Sequence, residues 1–245
     1  MSSSHDRSGT PPPSAGRPAR FDLADVIRVG RAIGLRDLTV QAVASALDVT
    51  PTAVYRLVPG RVGLERLIGE AILADLDLPD DPSMSAAEHL TDFATRLRRF
   101  TLARPGSAAY FQHSFPRGAS GARLMAVEVA ALTARGYAPG AAAGLCGSVA
   151  SLALGLLSAE DTRLGRAADH DAAQQEAANA FTTIMDDPLL RDAHLTIPTV
   201  SADEYFHLVM SSAIAGLVDR LPPQRPLDDL LAENRADLAA REMEN

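Results

Sequence analysis

The sequence predicts an all-α protein, a three-helix N-terminal head containing a helix-turn-helix followed by a larger helical domain. Three observations carry this. Two short amphipathic segments, joined by a tight polar turn, lie between Thr39 and Arg66. Beyond them come longer apolar stretches with helical periodicity, separated by Pro and Gly breaks. No segment reads as a strand.

In the first segment, Val40, Val43, Ala44 and Leu47 recur at i, i+3, i+4 and i+7, which places them on one helical stripe. Asp48 follows where the chain must enter the left-handed region, a conformation Asp tolerates better than most residues. Thr50 supplies an N-cap oxygen and Pro51 occupies the first helical position, where its missing N–H costs nothing. The second helix is predicted to run two turns, until Pro59 and Gly60 stop it. Val54, Leu57 and Val58 would face inward, leaving Thr52, Ala53, Tyr55 and Arg56 outward. That free face is short, polar and cationic, which suits the major groove of DNA and makes double-stranded DNA the expected partner.

Charge is divided in the same way. The chain carries a net charge of −8, yet residues 1–66 hold 9 Arg against 6 acids and the remainder 14 Arg against 25. The basic part is the part with the helix-turn-helix.

The run Thr39-Val40, Val43-Ala44, Val49-Thr50, Ala53-Val54-Tyr55 and Val58, followed by Arg61 and an apolar helix from Val62, resembles the N-terminal domain of the tetracycline-repressor family over Phe21 to Ala74. That resemblance implies that Thr39 and Tyr55 hold phosphates, that Thr50 caps the recognition helix, and that Thr52 and Arg56 face bases, with Ala53 and Arg61 beside them. Pro51, Thr52, Leu57 and Arg61 depart from the family's common residues.

Further helices are predicted near Ala86 to Leu102, Gly106 to His113, Gly121 to Arg135, Pro139 to Ser158, Ala172 to Met185 and Ala202 to Leu221. Pro226 to Glu244 has a weaker pattern, expected to be a peripheral helix or tail. The segment Pro139 to Ser158 sets Leu145, Val149, Leu152 and Leu156 on one stripe and Gly144, Gly147, Ser148, Ser151 and Gly155 near another. Ala202 to Leu221 repeats the theme with Phe206, Met210, Ala213 and Leu217. Helices that want cover all round are buried, and a homodimer through these two helices is expected, with no membrane span. The stretch Val127 to Leu157 and the later Phe206 and Gly216 resemble the C-terminal domain of the tetracycline-repressor subgroup. That implies a ligand-binding and dimerisation domain whose occupied cavity spreads the DNA heads.

A small, mostly apolar effector is expected, with Tyr110, Phe111, His113, Phe115, Met125 and Cys146 as candidate lining. The subgroup's metal-serving His and acid map to Gln112 or His113 and to Ala159-Glu160, an incomplete set, so neither a metal nor a cofactor is expected. The expected domains are a disordered tail at 1–19, the head at 20–66, the effector and dimerisation domain at 67–225, and a C-terminal tail or helix at 226–245. The tail is rich in Ser, Pro and Gly, lacks the apolar core of a secretory signal, and holds Arg7, Arg17 and Arg20. With a single cysteine, Cys146, no intrachain disulfide forms, and a cytoplasmic protein is expected. No G-x-S-x-G, GxxxxGK[ST] or H-E-x-x-H motif occurs, so catalysis is not expected. The reading is therefore a ligand-responsive, DNA-binding repressor. The alternatives are a helical carrier of hydrophobic ligands that has lost DNA binding, and a helical enzyme.

Overall fold

The computed structural model describes residues 21–114, 118–165 and 170–243, and these form twelve helices. The expected N-terminal tail with its three arginines lies outside the described residues, as do Phe115, Pro116 and Asp169.

The head begins with α1, Leu23–Ile33, whose N-terminus carries a capping box in which the Asp22 side chain and the Asp25 side chain each accept the other's backbone N–H. It ends at Gly34, where φ is 81°, a value that glycine adopts without a Cβ clash. α2, Val40–Ala46, is capped by Thr39, whose hydroxyl accepts from the Ala42 N–H at 2.9 Å. Asp48 takes the left-handed conformation the turn requires, with φ 53°. α3, Pro51–Tyr55, starts on Thr50, which accepts from the Ala53 N–H at 3.3 Å. α4, Gly60–Leu73, then crosses back over the head. Val26, Leu38, Val43, Ala44, Val54, Val58, Leu64 and Ile68 are buried together as its core.

α3 is shorter than the sequence predicts. It holds five residues, and Arg56 forms its C-cap instead of continuing the helix. The 100° step no longer applies beyond that point, so Leu57 turns outward and is 39% exposed, against the expectation that it faces inward. α4 also runs through the expected boundary after residue 66, so the head and the next domain share one helix.

The larger domain is arranged around α8, Pro139–Gly165, which packs against α5, Ala86–Leu102, α6, Ser107–Ser114, α7, Ala119–Ala134, and α11, Ala202–Arg220. α5 and α11 each begin with a capping box, Ser85 with Glu88 and Ser201 with Glu204. α8 is long and apolar enough to cross a membrane, but it is the central helix of this bundle. Its buried stripe passes through Ala142, Leu145, Cys146, Val149, Ala153 and Leu157. Leu152, expected on that stripe, is 45% exposed, on the open face with Gly147, Ser148 and Ser151. Of the predicted α11 stripe, Phe206 and Met210 are buried with Ile214, while Ala213 and Leu217 are half-buried.

α9, His170–Asp186, and α10, Pro188–Thr196, pack on each other, with the Phe181 and His194 rings edge to face at 5.3 Å. α10 was not expected from sequence. It is started by Asp187, which caps the Leu190 N–H, and by Pro188 at its first position. α12, Leu227–Met243, resolves the C-terminal segment as a helix, with Leu227 against Gly144 of α8.

Candidate functional site

Two regions of the molecule concentrate functional chemistry, and α4 belongs to both. The first is the outer face of the head. Thr50, Thr52, Tyr55 and Arg56 are exposed there, with Ala53 half-buried and Tyr55 at 51% exposure. Thr39 is half-buried, its oxygen engaged as the cap of α2. Arg56 has no ion-pair partner among the described residues, so its guanidinium is available. Arg61 is exposed but pairs with Glu65 on the next turn, Nε to Oε1 at 2.7 Å, which divides its charge between the two roles. Thr50, Thr52, Tyr55 and Arg56 are thus exposed together along α3 and its caps, with Arg61 the second residue of α4.

The second region is an apolar cavity of about 250 Å³ lined by α4 to α8 and open on one side. Leu73 and Leu76 close the head side, Phe93 and Leu97 come from α5, Leu124 and Val129 from α7, and Ala150 and Leu154 from α8. Of the sequence-predicted lining residues, Phe111, Met125 and Cys146 are on its wall. Tyr110 and His113 are not. Tyr110 packs over Gly69, where a Cβ would collide with its ring, and so brings α6 against α4. His113 is exposed, and its Nδ1–H donates to the Ala109 carbonyl one turn back at 2.8 Å. Phe115 lies outside the described residues.

Sequence reading missed the polar part of the wall. Glu128, on α7, lines the cavity and is 3% exposed. Its Oε2 lies 3.0 Å from His89 Nε2, His89 Nδ1 lies 3.3 Å from Asp80 Oδ1, and Asp80 Oδ1 lies 2.8 Å from Arg135 Nη2. A buried acid survives only when paired or hydrogen-bonded, and this chain of groups leads its charge out toward the surface. The signal was present in the sequence as an acid and a histidine on otherwise apolar stripes, Glu128 with Leu124, Ala131 and Leu132, and His89 with Leu90, Phe93 and Leu97. Burial, followed by the negative charge of Glu128, pushes the Cys146 thiol up to about 12. No group of His, Cys, Asp or Glu among the described residues is arranged to hold a metal ion.

A helix-turn-helix head joined by a shared helix to an apolar cavity in an all-helical domain defines a ligand-binding transcription regulator. Residues 78–221 match the family described as tetracyclin repressor-like, C-terminal domain, and the chain belongs to the tetracycline-repressor family. Solved structures share the fold. ActR from Streptomyces coelicolor in complex with actinorhodin matches with a TM-score of 0.67 at 22% identity, over 81% of this chain and 95% of that one. TetR from Acinetobacter baumannii AYE matches at 0.57 and 22%, over 82% and 98%. A possible TetR family transcriptional regulator from Streptomyces coelicolor A3(2) matches at 0.58 and 24%, over 83% and 100%. No curated protein sequence matches the chain.

Proposed function

We propose that the protein is a cytoplasmic repressor that binds a palindromic operator as a homodimer and releases it when a small, mostly apolar effector fills the cavity. The observation that carries this reading is the span of α4. Its Leu64 and Ile68 are fully buried in the head, and its Leu73 lines the cavity. A ligand that moves the cavity wall therefore moves a helix of the head.

Dimerisation is supported by the open faces of α8 and α11, where Gly147, Ser148, Ser151 and Leu152 lie exposed on one and Tyr205, Leu208, Ser212 and Gly216 on the other. Small residues let helix axes approach closely, and a two-fold contact uses the same surface of both copies. Two heads related by that axis meet half-sites about 34–36 Å apart. Thr52 and Arg56 would enter the major groove, with Thr39, Thr50, Ala53, Tyr55 and Arg61 at its edge.

The reading is tested by screening small apolar compounds for their effect on a duplex the protein retains. A compound that occupies the cavity is expected to lower DNA affinity at least tenfold, which requires about 1.4 kcal/mol of coupling. If every compound that binds the cavity leaves DNA affinity unchanged, the release mechanism is wrong.

A further inference from the structure

Among the described residues Glu128 is the only charged side chain on the cavity wall. Replacing a buried ion pair by apolar residues of similar size is often neutral or stabilising, so packing gives no reason for a carboxylate at this place. The groups behind it hold it in a fixed orientation. Glu128 Oε2 is hydrogen-bonded to His89 Nε2 at 3.0 Å, and Asp80 Oδ1 lies 3.3 Å from Nδ1 on the other side of the ring. Arg135 Nη2 holds Asp80 Oδ1 at 2.8 Å behind the ring.

What Glu128 lacks is a second donor. Oε2 of Glu128 is taken by His89, whereas Oε1 accepts no hydrogen bond from the described residues. The other polar lining groups, Gln112 and Ser151, are exposed at the open side of the cavity. A carboxylate oxygen only accepts. A ligand carboxylate brought beside it would be repelled, and an ether or ketone would leave it unpaired. The volume of about 250 Å³ lies just under the range of roughly 300–1,000 Å³ typical of drug-sized ligand sites.

We infer that Glu128 Oε1 is the polar anchor of the cavity, and that the effector is a small apolar molecule that donates one hydrogen bond to it from a hydroxyl or an N–H. This rests on the cavity being the effector site. A site built around such an acceptor discriminates against an analogue without the donor more strongly than an apolar pocket discriminates by size.

The test uses the full chain and two probes of the same ring system, 1-naphthol and 1-methoxynaphthalene, titrated by calorimetry. The expected result is that 1-naphthol binds at least tenfold more tightly. In Glu128→Met the ratio falls to about one while 1-methoxynaphthalene still binds, which also shows that the variant is folded. Glu128→Gln, which keeps a carbonyl acceptor without the charge, gives an intermediate ratio and serves if the Met variant does not fold. Equal binding of both probes to the unaltered protein overturns the anchor and leaves the cavity as a ligand site. A preference that persists in Glu128→Met also overturns it. If neither probe binds, the anchor and the cavity reading both fail.

Discussion

Arg36, in the loop after α1, reaches across to Asp161 near the C-terminal end of α8, with Nη2 2.5 Å from Oδ1 and 3.1 Å from the Asp161 carbonyl. The other carboxylate oxygen of Asp161 accepts from the Gly106 N–H at 2.8 Å, and the Arg36 N–H donates to the Pro105 carbonyl at 3.3 Å. One aspartate thus fastens the head, the turn before α6 and the helix that supplies Cys146, Ala150 and Leu154 to the cavity. It is a second physical link between cavity and head, besides α4.

Replacing Asp161 by Ala leaves the Gly106 N–H without its acceptor and frees the Arg36 side chain. The expected cost is about 1–3 kcal/mol, read as a lower denaturant midpoint at unchanged slope. An unchanged midpoint would mean that water replaces the contact without loss.

Arg56 and Tyr55 separate two kinds of contact. Arg56→Ala is expected to weaken binding to a selected duplex more than to a random one, by about 1–3 kcal/mol of discrimination. Tyr55→Phe, which removes only a phenolic hydroxyl, is expected to weaken both alike. Equal losses for Arg56→Ala in an affinity titration would make that arginine a phosphate contact.

The dimer surface is tested at Leu208, which is 58% exposed on α11. Leu208→Glu is expected to halve the sedimenting mass from two chains of 25.8 kDa to one, with little change in Tm of the single chain. An unaltered mass would move the interface off this face.

Cys146 gives a pH dependence of stability. Its folded thiol is raised from an ordinary value near 9 to about 12, first by burial and then by Glu128. Between those values the folded state holds the proton that the unfolded state has lost, so this contribution is complete below about pH 9 and falls as pH rises toward 12. Cys146→Ala is expected to flatten the loss of stability across that window, measured by denaturant unfolding at several pH values. The protonated, buried thiol is also expected to resist iodoacetamide at pH 8, and rapid alkylation of the folded protein would contradict this placement.

The head was legible in the sequence because its determinants are local. Asp48, Thr50 and Pro51 act on their own neighbours within three residues, and the structure uses each as read, while Thr39 adds a cap of α2 that the sequence reading did not assign. Leu57 went wrong because periodicity was carried past the end of a helix that stops at Tyr55. The cavity is a different case. Its wall is assembled from residues between Leu73 and Leu154 on five helices, and no spacing rule in one dimension says which faces of different helices meet. His113 looked like a candidate because it is a histidine among apolar neighbours, yet its own helix turns it outward. Glu128 and His89, thirty-nine residues apart, are recognisable as partners only once α5 and α7 stand side by side.

The proposed repressor must bind DNA sequence-specifically as a two-fold protein. The measurement that tests it most directly is selection of bound sequences from a random duplex pool by the purified full chain, at two salt concentrations. The predicted result is a palindromic consensus with half-sites one helical turn apart, retained less strongly at the higher salt. No enrichment at low salt would contradict it and leave a helical ligand carrier in place of a regulator.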